Sequence, residues 1–399
     1  MPGGSSRGTG GYNTVLMRLT RLELTNWRNF RTVDISLQDR VFIIGPNASG
    51  KSNLLDVFRF LRDIAKPGGG LQHAFEMRGG LSKVRCLAAR RYPEIRISVE
   101  VAEGGSGPTW KYEVGVKQEQ GRRRRPAVEY ERVSRDGSPV LERPDDLDNR
   151  DPERLSQTHL EQVNANAEFR ELPRFFEQVR YLHLVPQLVR HAEPQGAGQS
   201  DDPFGRNFME AVARAPRKTR DSRLRRIEGA LKAVVPQLKQ LKLEKDELGV
   251  PHLEAIYEHW RVNGARQRED QFSDGTIRLI GLLWSLFEGD APLLLEEPEL
   301  SLHTEIVRQI PGMIAQVQRK GERQILVSTH SAELLSDPGI GGEEVVLLRP
   351  GSEGTEALLA SSIPEVAAKL RAGLTAADAI LPLTAPPRTE RLSLAIGRA

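Results

Sequence analysis

The sequence predicts a mixed α/β fold with an antiparallel β subdomain and a helical arm insertion. Three observations support this class. An apolar run at residues 41–44 leads into a glycine-rich turn and then an amphipathic segment, as a strand, a loop and a helix would. Short stretches within residues 95–133 alternate apolar and polar residues, as antiparallel strands do. Two later apolar runs, at residues 292–295 and 324–329, end in glutamates and in a histidine.

The composition is typical of a globular protein with a sizeable core. A chain of 399 residues, of which 38% are hydrophobic and 28% charged, accommodates one large α/β domain with insertions, or two domains. Its apolar runs are far shorter than a membrane span, so we expect no membrane contact. The single cysteine, Cys86, excludes an internal disulfide framework, and we expect no signal peptide and a cytoplasmic location. The net charge of +3 does not identify a partner.

The first strands follow a segment of low complexity. Residues 1–16 are rich in glycine and serine and lack periodicity, so we expect a disordered extension, with Met17 as a candidate natural start. From Arg18 onward, alternating apolar residues predict two strands joined through residues 26–30. A third strand is predicted at residues 41–44.

The turn after the third strand has the pattern G-x-x-x-x-G-K-S and predicts a nucleoside triphosphate site. In such a turn, backbone N–H groups surround the phosphates at the point where a helix begins. Lys51 would reach the β and γ oxygens, and the Ser52 hydroxyl would occupy one position on Mg²⁺. A chance glycine-rich turn is less compatible with the flanking strand and helix patterns. The predicted phosphate-binding residues are Gly45, Pro46, Asn47, Ala48, Ser49, Gly50, Lys51, Ser52 and Asn53.

Two stretches, residues 24–31 and 43–56, resemble the opening of the RecF/SMC/OLD branch of ABC-type ATPases. Members of this branch have N-F-R and G-x-N-G-x-G-K-S-N at these places, and Ala48 here replaces the usual glycine. The resemblance implies an ABC-type P-loop nucleotide-binding domain. It also implies ATP and Mg²⁺ as cofactors, and hydrolysis of ATP to ADP and phosphate as the reaction.

In this branch the segment after the first strand lies near the nucleotide base. The resemblance therefore makes Asn26, Arg28 and Phe30 candidates for the base edge. A turn in which Trp27 and Phe30 only pack on the core explains the same residues equally well.

Residues 81–143 predict the antiparallel β subdomain. Its alternating stretches are separated by glycine-rich or charged turns. One turn contains four consecutive arginines at residues 122–125. They would either contact a nucleic-acid backbone or form a solvated hairpin tip, the commoner meaning of such a run.

A buried-strand pattern that begins at Val179 ends at Pro186 and is followed at once by Gln187. The resemblance makes Gln187 the candidate Q-loop glutamine, which in ABC-type ATPases contacts Mg²⁺ and the attacking water. Arg190 is the alternative functional residue at this junction.

Residues 192–249 predict a linker and then a helical arm that is interrupted at Pro216. The arm is short and has neither sustained heptads nor a Cys-x-x-Cys hook, which largely excludes the chromosome-tethering class of SMC proteins. Many positive charges lie at residues 217–226. The arm is therefore a second candidate nucleic-acid surface, although a solvated basic face is the commoner meaning.

The second half of the predicted nucleotide site begins at residues 272–276. Ser273 and Asp274 would cap an apolar helix, whose N-terminus would attract an anion. The segment resembles the ABC signature loop, with Ser273, Asp274 and Gly275 at the family's positions. A signature loop binds the γ-phosphate held by a second subunit, so the resemblance implies an ATP-sandwich homodimer.

Two strand ends carry further candidate residues. Glu296 would hold Mg²⁺ through water, and Glu297 would orient or deprotonate the hydrolytic water. His330 resembles the H-loop histidine beside the γ-phosphate, whereas His303 and Thr304 depart from the family's aspartate and proline. The predicted catalytic residues are Glu297, His330, Gln187 and Lys51, and the predicted metal ligands are Ser52, Gln187 and Glu296.

The resemblance also sets the expected organisation and role. We expect a tail at 351–399 that is loose and too short for the nuclease domain of full OLD proteins, and hence a separately encoded effector. The implied function is an ATP-driven conformational switch that controls this effector in bacterial anti-phage defence. The alternative is a RecF-like ATP-dependent DNA-binding clamp in repair. The ATPase domain would comprise residues 17–191 and 250–350.

Overall fold

The computed structural model describes residues 16–89, 93–104, 107–119, 124–191, 202–260, 264–321 and 323–385. The predicted extension at residues 1–16, except its last residue, and most of the linker at 192–202 lie outside the described residues, as do Arg122 and Arg123. Among the helices that are described, none has the length and apolar content needed to cross a lipid bilayer.

The strands of the described residues come mostly in consecutive groups that are separated by helices. They are β1 (Met17–Trp27), β2 (Phe30–Ser36), β3 (Arg40–Ile44), β4 (Ile95–Glu103), β5 (Thr109–Gln118), β6 (Pro126–Arg135), β7 (Ser138–Arg143), β8 (Arg180–Leu182), β9 (Leu238–Lys245), β10 (Pro251–Tyr257), β11 (Ala265–Arg268), β12 (Leu293–Glu296), β13 (Ile325–Thr329), β14 (Val345–Gly351) and β15 (Gly354–Leu359).

The helices of the described residues connect these strands or follow them. They are α1 (Lys51–Ala65), α2 (Leu71–Glu76), α3 (Leu81–Val84), α4 (Asp146–Arg150), α5 (Glu171–Gln178), α6 (Pro186–Arg190), α7 (Phe208–Arg214), α8 (Arg217–Val234), α9 (Asp274–Leu286), α10 (Thr304–Val307), α11 (Ile310–Gly321), α12 (Ala332–Leu335), α13 (Pro364–Arg371) and α14 (Ala376–Ile380).

A six-stranded sheet in the order β15-β14-β3-β13-β12-β8 carries the predicted nucleotide-binding strands. All neighbouring strands in it are parallel except β14 and β15. Its central strand β3 is buried on both faces and is apolar from residue 41 onward, as expected of a covered parallel sheet. Ile44 pairs with Thr329, and Glu296 pairs with Ser328, so the carboxyl ends of β3, β12 and β13 meet at one edge.

The second six-stranded sheet is antiparallel and has the order β2-β1-β4-β5-β6-β7. It confirms antiparallel strands in the predicted subdomain, but it also includes the first two strands of the chain. The reason is that β1 pairs with β2 along one side and with β4 along the other. Residues 81–143 are therefore part of a larger sheet rather than a sheet of their own, and this sheet shares a hydrophobic core with α1.

The predicted helical arm is part of a compact lobe. The helices α7 and α8 are followed by a three-stranded antiparallel sheet in the order β11-β10-β9, which continues past the predicted boundary at residue 249. Leu224, Ile227 and Leu231 form a buried stripe on α8 and share one core with residues of α9. This stripe is covered by β9 and β10 as well as by α9, so α8 packs against the rest of the chain instead of projecting from it.

The predicted loose tail is ordered through residue 385 in the described part of the chain. It contains β15, α13 and α14. Val366, Ala376 and Ile380 are buried and share a core with Phe42 and Ile44 of β3. The expectation of a loose tail is wrong for residues 354–380, because these apolar side chains cover one face of the parallel sheet.

Candidate active site

The glycine-rich loop leaves the buried strand β3 at Ile44 and leads into α1 at Lys51. Gly50 and Ala48 have φ angles of +98° and +63°, so the loop uses left-handed backbone at two positions. Glycine adopts this conformation freely, whereas an alanine pays about 1 kcal/mol for it. Ala48 thus replaces the family glycine at a position where the backbone conformation favours glycine.

The Lys51 side chain lies back across the loop in this structure. Its Nζ donates to the carbonyl oxygens of Gly45 at 3.1 Å and Pro46 at 3.3 Å, and the residue is only 7% exposed. Burial lowers the pKa of Lys51, while the nearby carboxylates of Glu297 and Glu299 counteract this shift. The loop therefore holds its cation close to the position predicted for the phosphates.

Two of the predicted metal ligands are in direct contact. The Ser52 hydroxyl donates to Oε1 of Glu296 at 2.5 Å, and the hydroxyl of Tyr181 donates to Oε2 of the same carboxylate. The described residues contain no cluster of three or more His, Cys, Asp or Glu side chains that could hold a metal ion. One hydroxyl and one carboxylate nevertheless fit Mg²⁺, which is commonly bound by one or two protein oxygens together with phosphates and water.

The predicted catalytic carboxylate and histidine also meet at this edge. Nδ1 of His330 lies 3.3 Å from Oε1 of Glu297, and the His330 side chain is about half exposed. Glu297 has a φ of +45°, a left-handed conformation that is uncommon for a residue with a side chain. The parallel sheet therefore brings Glu297 and His330 together from two neighbouring strands.

Glu299 forms hydrogen bonds with the residues at the end of β13, next to Glu297 and His330. Its Oε1 accepts hydrogen bonds from Oγ1 of Thr329 at 2.6 Å and from the backbone N–H of His330 at 3.4 Å. Burial raises the pKa of Glu299. No role was predicted for Glu299, although its place in the acidic motif that follows β12 was an available signal.

The predicted signature loop begins the α9 helix. The Ser273 hydroxyl caps α9 by accepting the backbone N–H of Thr276 at 3.1 Å. At Gly275 a Cβ would lie 2.7 Å from the carbonyl oxygen of Ser301, so the close approach of the loop at residues 300–303 requires glycine there. The predicted signature loop and residues 300–303 are thus in contact within one chain.

Gln187 and Arg190, the two candidates at the Q-loop junction, both contact the signature loop. Nε2 of Gln187 donates to Oδ2 of Asp274 at 3.3 Å, and Nη2 of Arg190 lies 2.6 Å from Oδ1 of the same carboxylate. Arg190 also donates to the carbonyl oxygen of Phe272 at 2.6 Å. The structure therefore places Gln187 beside Asp274, and it is the Ser52–Glu296 pair that forms the predicted metal contact.

One family model matches residues 40–336, and its description reads "AAA domain, putative AbiEii toxin, Type IV TA system". The chain belongs to this AAA-domain family. The match starts with β3 and ends just after α12, so it includes the P-loop, the signature loop, the paired glutamates and His330.

Curated relatives of this AAA-domain protein match a shorter part of it. The DNA replication and repair protein RecF of Roseiflexus castenholzii is 31% identical over 94 residues, and RecF of Brucella abortus is 32% identical over 97 residues. These matches cover 21% and 22% of this chain and 24% of each relative. The chain thus aligns with about a quarter of the length of these relatives.

Solved structures of similar fold extend over most of the chain. The Smc head bound to the C-winged helix domain of ScpA gives a TM-score of 0.52 at 14% identity, over 85% of this chain and 97% of the other. The Smc head domain with an extended coiled coil bound to the C-terminal domain of ScpA, derived from Pyrococcus furiosus, gives 0.53 at 13% identity, over 89% and 100%. These likenesses confirm the predicted fold. Together with the local similarity to RecF, they support the resemblance to the RecF/SMC branch of ABC-type ATPases.

In this AAA-domain protein, the three residues predicted to lie at the base edge make other contacts. Phe30 is fully buried, and Asn26 is buried with its amide donating to the carbonyl oxygen of Glu94 at 2.9 Å. Arg28 pairs with Asp56 at 3.0 Å. These contacts favour the alternative in which the turn packs on the core, and the structure does not bring the three residues together around the P-loop.

The neighbouring Asn29 is the residue of this turn that contacts the P-loop. Its Nδ2 donates to the carbonyl oxygen of Ser49 at 2.8 Å and to Oγ1 of Thr355, and its Oδ1 accepts from Asn53 at 2.8 Å. Sequence reasoning missed this role, although Asn29 lies between two of the residues that were proposed.

Several arginines of the two basic segments make contacts within the protein. On α8, the guanidinium groups of Arg223 and Arg226 stack on the aromatic rings of Trp284 and Phe287. In the hairpin between β5 and β6, Arg125 pairs with two glutamates of the same chain. Several arginines that were candidates for nucleic-acid contact thus bind aromatic or acidic side chains of the same chain.

Proposed function

We propose that this protein hydrolyses ATP to ADP and phosphate with Mg²⁺, and that it acts as an ATP-dependent conformational switch. The observation that carries the proposal is the meeting of two pairs, Ser52 with Glu296 and Glu297 with His330, at one edge of the parallel sheet beside the P-loop.

Each side chain has a part in binding or hydrolysis. The backbone N–H groups of the loop and Lys51 bind the triphosphate, for which Lys51 must leave the carbonyl oxygens that it now contacts. Ser52 and Glu296 would hold Mg²⁺, which supplies neutralisation of phosphate charge. Glu297 orients or deprotonates the attacking water, and His330 donates a hydrogen bond to the γ-phosphate.

We propose that Ser273, Asp274 and Gly275 complete the site of a second subunit. The signature loop lies at the capped N-terminus of the 13-residue helix α9, where backbone N–H groups favour an anion. Asp274 is tied to Gln187 and Arg190, so a shift at the Q-loop junction moves the signature loop with it. ATP would close the homodimer, and hydrolysis would reopen it.

The output of this switch is a separately encoded effector in anti-phage defence. The description of the AAA-domain family names a toxin and a toxin–antitoxin system, which supports a role of this kind. The trigger would be nucleic acid or protein of an invader.

A RecF-like DNA-binding clamp is the second candidate, and the local similarity to RecF favours it. Arg217, Lys218 and Arg225 on α8 are exposed and could reach a phosphate backbone. Replacing these three residues by glutamine should then weaken salt-dependent DNA binding and reduce its salt slope by about 3. DNA binding that the triple variant leaves unchanged would assign the contact to another surface or none.

Solution mass with and without ATP·Mg²⁺ tests the switch directly. We expect Glu297→Gln to lower turnover about 10³-fold and to remain dimeric in ATP.

The concentration dependence of turnover tests the second subunit. Wild-type turnover should rise faster than linearly with protein concentration, and Ser273→Ala should weaken this dependence. Glu365→Gln, which changes an exposed glutamate on α13, is the matched control. A monomer with constant specific activity, indifferent to Ser273→Ala, would contradict the sandwich mechanism.

A further inference from the structure

The carboxylate of Glu296 is held by different partners on its two oxygens. Ser52, at the start of α1, donates to Oε1. Tyr181, on the edge strand β8, donates to Oε2. Because Tyr181 pairs in register with Leu294, its position relative to the end of β12 is set by the parallel sheet.

The face of the Tyr181 ring is also in contact with a charged side chain. The guanidinium carbon of Arg59 lies 4.2 Å from the ring centroid, within the range of a cation–π contact. Arg59 belongs to α1, the helix that begins at the P-loop, and it lies 3.7 Å from Asp56 on the same helix. The hydroxyl of Tyr181 is therefore directed by a strand on one side and by the P-loop helix on the other.

Binding of Mg²⁺ would affect the two hydrogen bonds of Glu296 differently. The Ser52 hydroxyl is itself a predicted ligand of Mg²⁺, so its bond to Oε1 is one that metal binding replaces. Tyr181 is not among the predicted ligands, and its bond to Oε2 can persist. The carboxylate then keeps its orientation while Oε1 becomes free.

We propose that Tyr181 is a positioning residue of the magnesium site, which holds Oε2 of Glu296 so that Oε1 is presented to the metal. This inference rests on the proposed function, because it assigns Ser52 and Glu296 to Mg²⁺. Hydrogen bonds that orient the ligands of a metal commonly change metal affinity 10- to 100-fold when they are removed. A tyrosine that only stabilises the fold would not have this effect.

Binding of Mn²⁺ to the protein with ADP, followed by electron paramagnetic resonance, measures the metal site without turnover. We expect Tyr181→Phe to weaken Mn²⁺ binding about 10-fold, with ADP affinity in the absence of metal unchanged. The ring stays under Arg59 in this variant, so the fold should be retained. Tyr130→Phe is the matched control, since Tyr130 also lies near an arginine, with the Arg132 guanidinium carbon 5.0 Å from its ring centroid.

A second variant keeps the hydroxyl and removes its support. Arg59→Gln should weaken Mn²⁺ binding about threefold, because the ring loses the contact that fixes its direction. Should Tyr181→Phe fail to fold, Arg59→Gln with wild-type Mn²⁺ affinity would overturn the inference. Tyr181→Phe that folds and binds Mn²⁺ within about twofold of the wild type, or more tightly, would also overturn it. A wild-type protein that binds ADP but no Mn²⁺ would overturn the proposed function itself.

Discussion

The edge of the parallel sheet and the signature loop differ in how their functional residues are held. At the sheet edge, neighbouring strands place the side chains against one another, as with Glu297 and His330 at 3.3 Å. At the signature loop, Asp274 is 38% exposed and depends on side chains from α6. The difference indicates that backbone pairing fixes the residues of the sheet edge, whereas side-chain contacts that can be exchanged hold Asp274.

Loss of the buried carboxyl group should disturb the sheet edge most. We expect Glu299→Ala to lower turnover about 100-fold and stability by about 2 kcal/mol, because Thr329 and the backbone N–H of His330 lose their acceptor. Turnover and urea unfolding measure the two effects.

The conservative variant at the same position separates charge from hydrogen bonding. Since burial raises the pKa of Glu299, a neutral side chain is tolerated better there than elsewhere, and Glu299→Gln should retain most of the activity. Equal losses in the two variants would show that the charge of Glu299 is required, and that the sheet edge is less fixed than its packing indicates.

Glu161 provides a test of stability remote from both regions. Its carboxylate accepts the backbone N–H groups of Leu71 at 2.6 Å and Thr158 at 3.0 Å, and burial raises its pKa to about 7. The folded state thus holds a proton on Glu161 up to about pH 7, whereas the unfolded state loses it near pH 4.5. We expect the wild type to lose about 2 kcal/mol of stability between pH 5 and 8 relative to Glu161→Gln.

Urea unfolding at several pH values measures this loss. The effect should appear in stability and leave the metal dependence of ATP hydrolysis unchanged. Parallel stability curves for the wild type and Glu161→Gln would mean that Glu161 titrates near its ordinary value in the folded protein.

Removal of Arg190 should affect the signature loop selectively. Arg190→Met leaves Asp274 without its cation and Phe272 without its donor, so we expect the ATP-dependent dimer to weaken about 10-fold. Turnover at saturating protein should change by less than about twofold. Sedimentation at several concentrations measures the dimer, and Arg319→Met on α11 is the control. A fall in turnover at saturation would instead place Arg190 in the chemistry.

The smallest expected effect concerns the P-loop itself. Ala48→Gly relieves the left-handed backbone at φ +63° and should stabilise the protein by about 0.5–1 kcal/mol. Thermal unfolding measures this gain, and ATP affinity should stay within about twofold because the loop keeps its shape. A destabilised variant would show that the methyl group makes contacts that outweigh the strain.

The strand ends were predictable because each is a local pattern. An apolar run that ends at Glu296 or at His330 indicates a buried strand and its exit without any knowledge of neighbours. Tyr181 was not predictable, since in sequence it is one residue of a short strand, and its contact with Glu296 arises from the pairing of β8 with β12. The predicted positions of Gln187 and Asn26 depended on family resemblance, which gives order along the chain but not contacts.

The insertion and the tail were harder to predict for a related reason. Leu224, Ile227 and Leu231 show which face of α8 is apolar, yet the sequence does not say what covers it. The same holds for Val366 and Ile380. They cover a face of the parallel sheet to which β3, more than 300 residues earlier in the chain, and the nearby β14 both contribute. The compact packing of the arm and of the tail therefore depends on contacts between residues far apart in the chain, which the local sequence pattern does not give.

The compact lobe also bears on how a movement at the nucleotide would be transmitted. Because α8 and α9 share one core, we expect a rotation of α9 to carry the lobe with it as one body. A movement that begins at the nucleotide would then reach surfaces within one or two helix diameters of α9, about 10–20 Å. Under the proposed function, we therefore expect a partner that responds to ATP to contact the lobe itself.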